Sequence, residues 1–361
     1  MQVYIRLMML LYLSICLCLL IFNILYIIWL KYMGKSRAKN TLFWTKEIDA
    51  QLQNLLTSAD VTEKHRKLLN TRLLKTENLI AFNMAVEPQL NREDMQRYLQ
   101  AVAGTFRNLA IHYLKKDVTE RAFFAYVLSL YGRSLCAEGD RIAVILLRYF
   151  PDSSIYCREN VLKALYAIGS ADGVERAFDW MSQHQISHPS RLLSDGLIRF
   201  SGDRLSLANR LWIASQKWEE PYQIAVIQMA AQFTDSFQET FAQLLLSGNF
   251  SQEVAFAALR YFRKYPYEPL RNFFQQLVLD ESELAIAAAN ALQAYPGEDT
   301  KSVLLKGLCS RNWYVRRNSA GTLVNMGISE EELAHIADKY AKDMLHYMVQ
   351  LKKAKGGISI A

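Results

Sequence analysis

The chain has 361 residues, 51% of them hydrophobic, with 42 Lys+Arg against 35 Asp+Glu for a formal charge of +7. Six of those bases, Arg6, Lys31, Lys35, Arg37, Lys39 and Lys46, precede the first acid, Glu47, so the other 36 bases face all 35 acids and everything after residue 46 carries +1. That partition excludes a basic nucleic-acid-binding stripe on the folded part. Five scattered cysteines without a C-x-x-C pair exclude a disulfide framework or a zinc site and suit a reducing compartment.

The first predicted element is a transmembrane helix. Leu7 to Leu30 holds 24 residues without a charge, and at about 1.5 Å per residue such a helix reaches roughly 36 Å, enough to span a hydrocarbon core of ~30 Å. A cleaved signal peptide wants a shorter apolar run, a basic start and a small-x-small cleavage site. Ile15 before Cys16 also spoils a lipoprotein box. Residues 1–32 are therefore read as the anchor and 33–46 as a basic juxtamembrane stalk. Lys31, Lys35, Arg37 and Lys39 flank the apolar run, so the positive-inside rule puts the N-terminus outside an inner (plasma) membrane and the remainder in the cytoplasm. Each such base gains about 1 kcal/mol beside an anionic leaflet. Asn23, the one amide in the run, offers a hydrogen bond to a partner helix.

A helical N-terminal region is predicted over 47–103. Ile48, Leu52, Leu55 and Leu56 form an apolar stripe suited to packing on the first repeat, and Asp60-Val61-Thr62-Glu63 signals the start of an amphipathic helix running to about Ile80. Beyond it, apolar segments at helical spacing are separated by breaks at Gly104, Gly132, Pro151-Asp152, Gly169, His188-Pro189, Gly202-Asp203, Pro221, Gly248-Asn249, Pro266, Pro296-Gly297 and Gly327. No stretch alternates as a strand would.

Such punctuation calls for a repeat search. The segment from Glu253 to Pro266 aligns without a gap on Glu283 to Pro296, and Tyr314 to Gly327 follows 31 residues later. An earlier copy, Tyr156 to Gly169, pairs Arg158 with Arg316, Asn160 with Asn318, Leu165 with Leu323 and Gly169 with Gly327. A fainter copy ends at Gly132 with Arg121 at the arginine position, and another lies near Tyr222 to Thr234. At these residues the chain resembles the HEAT-repeat family, in particular bacterial HEAT-like repeats whose second helix reads V-R-x-x-A-x-x-A-L-x-x-hydrophobic-G; Val315-Arg316 to Gly327 is the closest fit. The resemblance implies an all-α fold, a right-handed α-solenoid of helical hairpins over 104–328, behind one transmembrane helix. Such stacks bury apolar surface between neighbours and need a capped end. Residues 329–361 are predicted to supply it, starting at the capping box Ser329-Glu330-Glu331-Glu332.

Chemistry finds little purchase. His184 and His188 have the spacing of two ligands on one helix face, but Pro189 follows and no third ligand has a diagnostic spacing. Neither a phosphate loop nor a G-x-S-x-G elbow occurs. Phe262 and Tyr265, in a stretch of rings and cations, fall on the apolar side of their helix. No catalytic residue, metal site or cofactor is expected. The expected function is a non-enzymatic, membrane-tethered scaffold that grips a protein partner and no nucleic acid. Arg158, Glu159, Arg316 and Arg317 are the candidate contacts, although the two arginines of the repeat signature also suit a structural ladder between repeats. The resemblance further implies a partner such as a membrane glycosyltransferase of exopolysaccharide synthesis. The alternatives are a HEAT-like lyase or nucleic-acid-modifying enzyme, or a membrane signal relay.

Overall fold

The computed structural model describes residues 2–58, 60–151, 153–328, 336 and 338–356. Every regular element among them is helical. The chain divides into two compact units, Met1–Val174 and Glu175–Ala361.

The first unit begins with α1 (Gln2–Thr57), a single helix of 56 residues and thus about 84 Å long. Its side chains from 8 to 32 are exposed, and this part is long and apolar enough to cross a membrane. Farther along, Trp44, Ile48 and Leu52 are buried at four-residue intervals, one stripe of the helix. Leu55 is half-buried and Leu56 exposed, so the predicted stripe is shifted toward the N-terminus. The basic segment 33–46 lies wholly within α1.

Seven more helices complete this unit: α2 (Glu63–Arg72), α3 (Thr76–Val86), α4 (Glu93–Ala101), α5 (Ala103–Tyr113), α6 (Val118–Tyr131), α7 (Gly139–Leu147) and α8 (Ile155–Ile168). Thr62 caps α2 by accepting from the His65 amide. The helix predicted to run on to Ile80 instead breaks at Leu73, whose amide closes on the Leu69 carbonyl. On one straight helix Leu69 and Phe82 would stand about 140° apart; the break lets both be fully buried. The break predicted at Gly104 falls at Val102, between α4 and α5. Helices α3 and α4 pack on α1, α6 on α3 and α8 on α6, while α5 packs on α2 and α7 on α5. Trp44 meets Phe82 edge-on at 5.3 Å, and Phe106 and Tyr131 continue the cluster. The C-terminal part of α1 thereby belongs to this unit's core.

Helix α9 (Ala171–Gln183) crosses the division between units. The second unit continues with α10 (Ser190–Ile198), α11 (Arg204–Ser215), α12 (Glu220–Phe233), α13 (Gln238–Ser247), α14 (Gln252–Lys264), α15 (Arg271–Leu279), α16 (Ala285–Ala291), α17 (Glu298–Gly307), α18 (Trp313–Met326) and α19 (Lys339–Gly356). Helices α10, α12, α14, α16, α18 and α19 form one row in which each packs on the next, and α11, α13, α15 and α17 pack against it. Ala255, Ala258, Ala285, Ala288 and Ala289 are buried along that row, where small side chains let helix axes approach. Gly248 and Gly327 end α13 and α18 with φ of 68° and 84°, the left-handed cap that glycine adopts without strain. The predicted capping box at 329–332 lies outside the described residues. Helix α19 buries Ala341 and Leu345, and the Lys352 ammonium donates to the Val324 carbonyl at 2.9 Å.

Buried tyrosines stitch successive hairpins in each unit. Tyr113 donates to the Leu73 carbonyl at 2.9 Å and Tyr149 to that of Ala110 at 2.7 Å. In the second unit Tyr222 donates to the Ile186 carbonyl, while the Tyr261 and Tyr295 hydroxyls accept from the Phe237 and Tyr267 amides. Burial pushes the Tyr113 and Tyr295 phenols up to about 12, so each stays a neutral hydroxyl able to bond backbone. The repeat alignment pairs Tyr265 with Tyr295, yet in the earlier copy Tyr261 makes the stitch.

Candidate functional site

The four candidate contacts, Arg158, Glu159, Arg316 and Arg317, sort into two kinds. Arg158 turns its guanidinium back onto the Ser153 carbonyl at 2.7 Å. Arg316 does the same toward the carbonyls of Ser310 and Arg311, at 2.7 and 3.0 Å. Two residues on, Asn160 donates to the Ala122 carbonyl at 3.0 Å and Asn318 to that of Ile286 at 2.7 Å. The repeated Arg-x-Asn therefore closes the loop before its own helix and ties that helix to the preceding one in the row. Arg158 and Arg316 are half-buried in this work.

Their neighbours face elsewhere. Glu159 is half-buried and pairs with Lys163 at 3.5 Å. Arg317 is exposed, with its guanidinium 5.7 Å from the centre of the exposed Trp313 ring. The repeat register equates Arg317 with Ile286 and Phe256, and the next turn of each helix with Arg260, Asn290 and Gly321. Of those positions Phe256, Arg260, Ile286 and Asn290 line a groove of about 290 Å³ between α14 and α16, closed at one side by Asn318 of α18, while Arg317 and Gly321 are not in its lining. Glu253, Phe256, Arg260 and Arg263 come from α14; Ile286, Ala287 and Asn290 from α16; and Asn318 from α18. On α14 the spacing i, i+3, i+7, i+10 puts the four on one face, and the alanines of α16 leave room above the floor.

The groove's charges are unequally placed. Arg260 and Arg263 are exposed, and neither has a carboxylate or carbonyl partner among the described residues. Glu253 stands in the first turn of α14, where a carboxylate suits the helix dipole. The amide of Asn318 spends its NH2 on the Ile286 carbonyl and keeps its oxygen open. Sequence reasoning aligned these segments but did not carry the register from Arg317 back to Phe256, Arg260 and Asn290; the alignment itself held that signal.

Other candidates come apart. His184 and His188 do not share a helix face: α9 ends at Gln183, Gln185 takes φ of 52°, and the Ile186 amide closes on the Met181 carbonyl. His184 stacks on Trp180 at 4.1 Å and His188 is buried. No group of three His, Cys, Asp or Glu side chains suited to a metal occurs among the described residues. Burial pushes the Cys157 thiol up, opposite to what a nucleophile needs. Tyr261 and Phe262 are both fully buried and Tyr265 is half-buried. Asn23 bonds back to the Leu19 carbonyl within α1 at 2.8 Å.

At the base of the apolar run, Lys31, Lys35, Lys39 and Lys46 are all exposed and fall within about 80° of one another around the helix, opposite the Trp44, Ile48 and Leu52 stripe. Arg37, also exposed, points to the other side. Comparisons with protein-family models, curated proteins and solved structures find no match to this chain.

Proposed function

We propose that this chain is a non-enzymatic adaptor, a HEAT-like solenoid held at the cytoplasmic face of an inner membrane by α1 and gripping a protein partner through the open faces of its repeat helices. The observation that carries the reading is the groove between α14 and α16, where one repeat position after another presents an accessible side chain while the adjacent Arg-x-Asn residues hold the scaffold. Anchoring raises the effective concentration of any partner in the same bilayer, and fixing α1 into a core through Trp44, Ile48 and Leu52 holds the first unit at a set distance from it. A membrane glycosyltransferase is the partner class that the HEAT-like resemblance suggests.

The test is affinity purification from detergent-solubilised membranes with the full chain as bait. A specific membrane protein should co-purify with the wild type and be depleted by Arg317→Glu. Because Arg158 and Arg316 serve their own loops, Arg316→Glu is a control for lost stability. Recovery of no specific protein, with turnover of a small molecule by the purified chain, would refute the adaptor.

A further inference from the structure

The adaptor reading leaves open what chemistry the groove recognises, and the inference drawn here rests on that reading. We infer that the groove between α14 and α16 binds an extended acidic segment of the partner, two carboxylates on alternate residues meeting Arg260 and Arg263. Both guanidiniums are exposed and unpaired among the described residues, on adjacent turns of one face of α14. Their backbones are about 4.5 Å apart along the axis, and side chains on the same face of an extended chain recur every 6.6–6.8 Å or so. Arginine side chains span that difference easily, and planar guanidinium forks match carboxylates in two-point contact.

The rest of the groove fixes what lies beside those carboxylates. The side-chain amide of Asn290 has no hydrogen-bond partner among the described residues, and Asn318 keeps its side-chain oxygen open. The pair offers a donor and acceptors to the peptide groups of an extended segment, which has free N–H and C=O groups where a helix has none. Ala287 leaves the floor shallow, and Phe256 and Ile286 form an apolar rim that suits an aliphatic side chain. Glu253 at the far end of α14's lining face rejects a further acid there, so the segment has a direction: its acids lie toward the C-terminal end of α14 and its apolar residue toward Phe256.

A randomised twelve-residue peptide display library selected against the full-length protein in nanodiscs tests this directly. Acidic-x-acidic sequences with an aliphatic residue on one flank should be enriched, and a selected peptide, fluorescein-labelled, should lose affinity at least about tenfold on Arg260→Glu with Arg263→Glu. Glu253→Lys should tighten it, and Arg260→Lys should keep part of the binding. All three positions are exposed, and unchanged helical circular dichroism verifies the fold. Enrichment of peptides without acids, equal binding to the double variant, or equal binding by an oligothymidine of matched charge would overturn the inference. A membrane protein that co-purifies equally with wild type and the double variant sinks the groove's role and leaves the adaptor standing. Recovery of no specific protein even with the wild type sinks the adaptor itself.

Discussion

His65 is 2% exposed inside the first unit, its Nε2 2.7 Å from the Tyr98 hydroxyl and its Nδ1 3.8 Å from the Glu47 carboxylate. Burial pushes its pKa below the ordinary 6.5, and Glu47 recovers part of that shift. The native state therefore holds fewer protons on His65 than the unfolded chain. Its contribution to stability is unaffected well above pH 6.5 and declines as pH falls through 6.5 toward the lower native value. The midpoint of thermal unfolding should fall from pH 7.5 to 5.5, and His65→Gln should flatten that slope whatever it does to the midpoint at pH 7.5. An equal slope in both proteins would remove His65 as the cause. Residue detail of this kind was half legible in the sequence. The repeat alignment found Arg316 and Asn318, and it could not tell that Arg316 turns back to its loop while Arg317, one position on and 100° around the helix, stays in solvent.

Element boundaries were easier to foresee where the chain carries its own punctuation. Gly169, Gly248 and Gly327 each end a helix in the left-handed region, because an L side chain is strained there. The break at Leu73 has no such mark; it follows from where Leu69 and Phe82 must go, which is tertiary information. The same holds for α1, whose apolar and basic stretches differ in composition yet form one rod because no residue in 33–46 stops a helix and Trp44, Ile48 and Leu52 support its far end. That support makes a prediction about cutting the chain. Deleting residues 2–32 should leave the first unit folded, since the removed side chains from 8 onward are exposed. Deleting 2–52 removes three buried apolar side chains worth about 2–5 kcal/mol each, comparable to the whole stability of a domain of this size. Hydrogen exchange of α3 and α4, which pack on α1, reads the difference. Protection there in the longer deletion would show that α1 is dispensable to the core.

Taken over the whole molecule, charge and thiols turn orientation into a measurement. All six bases before Glu47 except Arg6 lie on one side of the apolar run, and moving that side across a bilayer is the costlier insertion. The parts after residue 46 are nearly neutral, so nothing there offsets the bias. Cys136 and Cys309 are exposed, Cys157 is buried, and Cys16 and Cys18 lie in the apolar stretch of α1. An impermeant polyethylene-glycol maleimide added to intact cells should therefore leave the protein unshifted on a gel. After permeabilisation it should add two labels, one lost with Cys136→Ser and one with Cys309→Ser. Burial pushes the Cys309 thiol up, so its label should arrive more slowly near neutral pH and catch up as pH rises and the thiolate fraction grows. Labelling of both thiols in intact, sealed cells would put the repeats outside the membrane and reverse the orientation argued from the lysines.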